Sequence, residues 1–517
     1  MLRLYGLLLC AVFLASALPT LAQSPLSDEN WTAAYLESVR NDPTQLQMLL
    51  QGMPKGGDLH LHLEGSVYAE SIIGYALEDH LCLSPVSFVL TRPPCADDSV
   101  PLDKALNNDS ALREKLIDAY SMRDWSPGID SAQEHFFRSF DKFIEATRQH
   151  QPEEIAEIRS RAASASVQYV EIMWTPDEGE AIRDAANINQ ETDPQEMERV
   201  LDLNIRSLVE KTRHHIDATD AAVRKLLQCD GPNPQPGCNV RTRYIYQALR
   251  GFSRPQVFAQ LLLAFRLSKE DPRVVGVNLV MPEHWDIPLA DFNEHLRYVH
   301  YLHQKYPSIH ISLHAGELRA GLVTPENLNF HIRSSMELGM AERIGHGVSL
   351  AYERDPQQLL IEMASRRILV EICLTSNTLI LGVHGSQHPL KLYMRYGVPI
   401  SLATDDQGVS RATMTSEYLR AVQDQGLGYR DLKRFARESL EHAFLPGHSL
   451  WLDKDFHLVI HECRSSRITV SSPTTECAAY LASNERASAQ WALEESFRKF
   501  EQEYRPNRMK QSNNRPE

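Results

Sequence analysis

Positive charge is in short supply in this 517-residue chain. Lys and Arg number 53 against 68 Asp and Glu, a formal net charge of -15. That deficit argues against the basic footprint that a nucleic acid or an anionic membrane surface selects, so neither is expected as a partner. Long apolar runs are missing too. Beyond the first two dozen residues no stretch is apolar for long enough to cross a bilayer, and no stable membrane association is expected. The chain also lacks an internal repeat. With 43% hydrophobic, 8% aromatic and 23% charged residues, it is neither disordered, collagenous nor coiled-coil, and its length suits three domains or one large barrel with insertions.

Residues 1–22 have a basic start at Arg3, a short apolar run and small residues before a cut after Ala22 or Ala17. This pattern predicts a cleaved signal peptide that contains Cys10, and therefore a periplasmic or secreted protein. Six of the other seven cysteines form sequence-close pairs, Cys82 with Cys95, Cys229 with Cys238 and Cys463 with Cys477, each bracketing a polar loop. In an oxidising compartment they are expected as disulfides that staple insertions. Cys373 lies in an apolar run and reads as a buried free thiol.

Short runs rich in β-branched residues alternate with helix-length amphipathic stretches. Strands are expected at 58–65, 167–174, 242–249, 274–280, 310–317, 343–347, 368–377 and 399–406. Helices are expected around 134–150, 255–269, 325–339 and 356–367; in the first, Phe136, Phe137, Phe140, Phe143 and Ile144 share a face. Eight strands with helices between them predict an α/β fold, a (β/α)8 TIM barrel with insertions and a C-terminal helical appendage. The expected layout is a lead segment over 23–52, the barrel over 53–450 with its largest insertion near 78–130, and an extension over 451–517.

His60 and His62 are two apart in a strand, so both imidazoles face one side and can reach one metal. His314, Glu317, His346, Asp405 and Asp406 fall at the ends of later strands. A barrel gathers the C-terminal ends of its strands on one face, so these residues are expected to meet there. Three His and one Asp make a donor set suited to zinc with a bound water. Glu171, His384 and His388 belong to no comparable motif. The last two follow strand seven and are expected near the entrance.

The segments MPKGGDLHLHLEGS, SLHAGE, RIGHG and LATDD, in this order over about residues 53–445, resemble the signature segments of the adenosine deaminase family in the metal-dependent amidohydrolase superfamily. The resemblance implies one Zn2+ per chain on His60, His62, His314 and Asp405. It implies Glu317 as the acid that protonates purine N1, His346 as the group that orients the water and helps deprotonate it, and Asp406 as a partner of N7. It implies hydrolysis of adenosine or 2′-deoxyadenosine to the inosine product and ammonia. Chemistry agrees, because zinc lowers the pKa of water to about 7 and a buried carboxylic acid can deliver the proton the ring needs.

Two positions depart from the pattern. Glu64 stands where the family usually has the Asp that contacts the ribose, and Met281 where it has a Gly whose backbone N–H contacts the purine. These departures bear on substrate more than on reaction type, and another adenine derivative is the alternative. A two-metal hydrolase would require a Lys at the end of strand four, whereas Lys269 precedes that strand. A secreted nucleoside-binding or growth-factor-like protein on an inactive barrel would have lost a ligand or the proton donor, and all are present. The H-x-E with P-C-x-x-C signature of polynucleotide deaminases is absent.

Overall fold

The computed structural model describes residues 27–126, 128, 130–466 and 472–505. The expected signal peptide lies outside them. Eight parallel strands, β1 (Gly57–His62), β2 (Tyr169–Trp174), β3 (Arg241–Leu249), β4 (Val274–Val280), β5 (His310–Ala315), β6 (Arg343–His346), β7 (Leu369–Ile372) and β8 (Ile400–Leu402), pair each with the next in chain order. A parallel bridge between Leu61 and Asp405, with the Asp405 N–H donating to the His60 carbonyl at 2.9 Å, brings the last strand back to the first. The result is a nearly closed (β/α)8 barrel of TIM type. All eight strands fall within two residues of their expected starts. Strand β7 is shorter than its apolar run: a helix begins at Leu374, so Cys373 caps that helix, and it is buried and free as expected.

Helices cover the barrel because each turns an apolar stripe inward. Arg254–Glu270 begins at a Ser253/Gln256 capping box and buries Val257, Leu261, Leu262, Phe265 and their neighbours. The stretch expected as one helix at 325–339 is broken into a 3-10 turn, Pro325–Leu328, and a helix, His331–Glu337. A 33-residue helix, Pro194–Leu226, not anticipated from the sequence, carries Met197, Leu201, Ile205, Leu208, Ile216 and Val223 against the barrel. The lead segment forms helices Asp28–Val39 and Pro43–Gly52, and they share one hydrophobic core with Phe497 and Phe500 of the C-terminal helix Glu485–Glu503.

The insertion after β1 builds a second small core. A three-stranded antiparallel sheet from residues 82–101 packs with helices on Ile72, Leu116, Phe136 and Phe143. Three disulfides, Cys82–Cys95, Cys229–Cys238 and Cys463–Cys477, pair as expected. Such bonds persist in oxidising compartments. Among the described residues, no helix is long and apolar enough to cross a membrane.

Inside the barrel, below the strand C-termini, Arg343 is 1% exposed. It pairs with Glu171 at 2.6 Å and Glu371 at 2.7 Å and lies 3.8 Å from the centre of the Phe444 ring. A buried guanidinium needs such partners, since removing one leaves an uncompensated charge.

Candidate metal and catalytic site

Ligand atoms of His60, His62, His314 and Asp405 lie within 4.8 Å of one another at the C-terminal mouth. His62 Nε2 faces His314 Nε2 at 3.2 Å, and Asp405 Oδ1 is 3.4 Å from His62 Nε2 and 3.7 Å from His60 Nε2.

The second nitrogen of each ring fixes what the first can do. His60 Nδ1 meets Glu371 at 2.7 Å, His62 Nδ1 meets Gln247 Oε1 at 2.9 Å, and His314 Nδ1 meets Asn278 Oδ1 at 2.9 Å. The backbone N–H of His314 also donates to Asn278 Oδ1, which settles the orientation of that amide. Each Nδ1 therefore donates, and three Nε2 lone pairs point inward beside a carboxylate. His60 Nε2 is buried with no partner. Lone pairs this close repel unless a cation lies between them, so the residues fit a divalent metal of the N3O type.

Burial and charge set the other groups. Burial, and then the charge of Asp405, pushes the Glu317 carboxyl well above the usual range, so it holds its proton. Burial raises Asp406 to about 8, and its Oδ1 has no partner. Burial lowers His346 to about 3. His346 Nε2 stands 3.8 Å from Glu317 Oε1 and 3.9 Å from Asp405 Oδ2.

The backbone here is unusual. Met281, His346 and Asp405, at or just past the ends of β4, β6 and β8, have φ of 94°, 68° and 57°. Such angles cost energy in residues with a side chain and are held only by surrounding structure. Met281 thus takes a conformation that favours glycine, the residue the resemblance leads one to expect there. Gly65 is required by close approach: a Cβ on it would lie 1.7 Å from Asp406 Oδ1.

A cavity of about 610 Å³ opens over these groups. Its inner end has His62, His314, His346, Glu317, Asp405 and Asp406, with Glu64 and Glu154 beside them; elsewhere it is lined by Phe137, Phe140, Ile144, Ile182, Phe252 and Trp285 together with Asp141, Arg148, Glu178 and Arg183. The Phe stripe expected on one helical face is therefore split, with Phe136 and Phe143 in the core and the rest toward the cavity. Met281 also lines the cavity.

Several residues escaped the sequence reading. Gln247, Asn278 and Glu371 are polar residues inside apolar strands, and a buried polar group needs a partner; that mismatch was the available signal. Glu283, 1% exposed, accepts from the N–H groups of Gly316 and Glu317 at 3.0 and 2.8 Å and so holds the turn that carries Glu317. Glu154 is fully buried with neither oxygen partnered. His388, expected at the entrance, is instead 4% exposed behind His346, while His384 is exposed. Glu171 lies in the barrel interior, away from the metal cluster.

The adenosine deaminase family model matches residues 128–450, more than half of the chain. The adenosine deaminase of Escherichia coli is 40% identical over 137 residues, 26% of this chain and 38% of that protein, so the aligned segment spans well under half of the relative. The N6-mAMP deaminase of Arabidopsis aligns with a TM-score of 0.50 at 21% identity, covering 77% of this chain and 95% of that one. A zinc-bound amidohydrolase from Burkholderia ambifaria aligns with a TM-score of 0.50 at 17% identity, covering 78% and 88%. At these identities the two structures speak to fold.

Proposed function

This chain belongs to the adenosine deaminase family, and from that premise we propose that it hydrolyses the 6-amino group of an adenine nucleoside, adenosine or 2′-deoxyadenosine, to give the inosine product and ammonia. The observation that carries the proposal is the convergence of three imidazole lone pairs and Asp405 beside a carboxyl that burial keeps protonated. His60, His62, His314 and Asp405 would hold one zinc ion, which supplies hydroxide near neutral pH by lowering the pKa of water.

The chain's own residues do the rest. Glu317 carries its proton to purine N1, which draws electron density away from C6 as the hydroxide adds there. Purine N7 accepts hydrogen bonds only, so its partner must donate, and burial leaves Asp406 with the proton to do so. His346 orients the attacking water. Glu64 and Glu154, both raised by burial, line the cavity beside these groups and are the partners we assign to the ribose hydroxyls. The acidic balance of the chain disfavours a phosphate-bearing substrate, but Arg148 and Arg183 line the cavity, so AMP belongs in the test beside the nucleosides. The size of the cavity and the aromatic side chains in its lining favour, as a second reading, an adenine derivative larger than a plain nucleoside. The disulfides and the N-terminal sequence support export after signal cleavage.

The test is an ultraviolet difference spectrum with adenosine, 2′-deoxyadenosine and AMP, alongside ammonia release, before and after chelation. Conversion of the nucleosides, lost with the metal and restored by zinc, is expected. A folded, zinc-loaded protein that converts none of them would refute the reading.

A further inference from the structure

We propose that His388, acting through Asn377, locks His346 with its proton on Nε2, so that His346 meets the reacting water as a hydrogen-bond donor rather than as the group that takes its proton. The proposal rests on the deaminase reading for its consequence but not for its geometry.

One donor behind His346 cannot be reoriented. The backbone N–H of Leu390 points at His388 Nδ1 at 3.1 Å, so that nitrogen accepts and the proton of the neutral ring is on Nε2. His388 Nε2 is 3.1 Å from Asn377 Oδ1 and donates to it. With its oxygen so engaged, Asn377 presents its amide nitrogen to His346 Nδ1, 3.0 Å away. That nitrogen can only donate, so His346 Nδ1 accepts and the neutral ring carries its proton on Nε2. The polarity of each link follows from the one before it. Asn377 is fully buried and His388 4% exposed, so water does not offer the chain an easy alternative.

The freed proton points where the chemistry is. His346 Nε2 faces the space between Glu317 Oε1 at 3.8 Å and Asp405 Oδ2 at 3.9 Å. An N–H aimed there can donate to an oxygen in that space. It offers no lone pair for a proton, and Nδ1 could take one only by giving up the bond to Asn377. The two tasks assigned to His346 from the sequence therefore separate: orientation stays and proton acceptance by the resting ring goes. Asn377 and His388 are positioning residues, since both act through His346.

Two-bond proton–nitrogen correlation spectra of the zinc-loaded full chain, labelled with 15N-histidine, read the tautomer directly. The His346 signals are identified by their loss in His346→Gln. A proton on Nε2 with a bare Nδ1 is expected; a proton on Nδ1 overturns the proposal. Asn377→Asp replaces the amide donor with an acceptor, and it is expected to move the proton to Nδ1 and to lower kcat about 10²-fold with KM little changed. Unchanged kcat together with a moved proton would also overturn it. Should that variant not fold, the wild-type spectrum decides alone. The Nε2 tautomer in a protein that releases no ammonia would leave the lock standing and remove the deaminase reading, whereas turnover with the Nδ1 tautomer would do the reverse.

Discussion

The two ends of the cavity are built in different ways. At the inner end each ligand imidazole is pinned by a specific partner, Glu371, Gln247 or Asn278, and the turn carrying Glu317 is held by Glu283. At the outer wall Phe137, Phe140 and Ile144 of one helix and Trp285, which is 41% exposed, offer apolar surface, with Asp141, Arg148, Glu178 and Arg183 also lining the cavity. Hydrogen bonds fix atoms to fractions of an ångström, which a reaction needs, while apolar contact tolerates movement and rewards area. The inner end is therefore expected to govern kcat and metal, and the outer wall KM and substrate range.

Removing a ligand tests the inner end most severely. His314→Ala leaves two imidazoles and Asp405, and zinc content by elemental analysis should fall with kcat, by about 10³-fold or more given the several kcal/mol a metal contributes. Retained zinc and turnover would mean that the cluster is not the centre. Glu317→Gln should keep zinc yet lose about 10²- to 10⁴-fold in kcat. Its pH profile carries the sign. The carboxyl is raised well above its ordinary value by burial, so the proton is present below that raised pKa and activity should decline as pH rises through it. The variant should lack this alkaline limb.

Glu371→Gln reaches one step further back. The amide can still accept from His60 Nδ1 but no longer balances Arg343, which keeps only Glu171. Zinc affinity should weaken about 10- to 100-fold, measured by competition with a chromophoric chelator. An unchanged affinity would show that the carboxylate serves the barrel interior and not the ligand.

What the sequence revealed divides along the same line. The barrel was legible because short apolar runs rich in β-branched residues recur eight times between helix-length stretches, and the cluster because His60, His62, His314 and Asp405 sit where such strands end. The supports were not, since Glu371 reaches His60 across 311 positions and Asn377 reaches His346 across 31, and no spacing encodes a contact made by folding. Strand β7 was read too far because a short apolar run does not tell strand from helix start. The helix Pro194–Leu226 went unread because Thr212 and Thr219 stand at buried positions of its stripe and blur the apolar period.

The outer wall gives the smallest effect and the sharpest contrast. Phe140 is partly buried, with its ring 5.3 Å from Phe143 on one side and the cavity on the other. Phe140→Ala removes contact area worth about 1 kcal/mol to a bound ligand, roughly half of the value for full burial, or about fivefold in KM. Because Phe140 makes none of the hydrogen bonds that pin the ligand imidazoles or the Glu317 turn, kcat and zinc content should stay at their wild-type values. The effect should also depend on substrate, being larger for an adenine derivative with an apolar extension than for adenosine, since only the former reaches the wall. If kcat fell as far as KM rose, the wall would be shaping the transition state as well as the bound substrate, and the division between the two ends of the cavity would have to be abandoned.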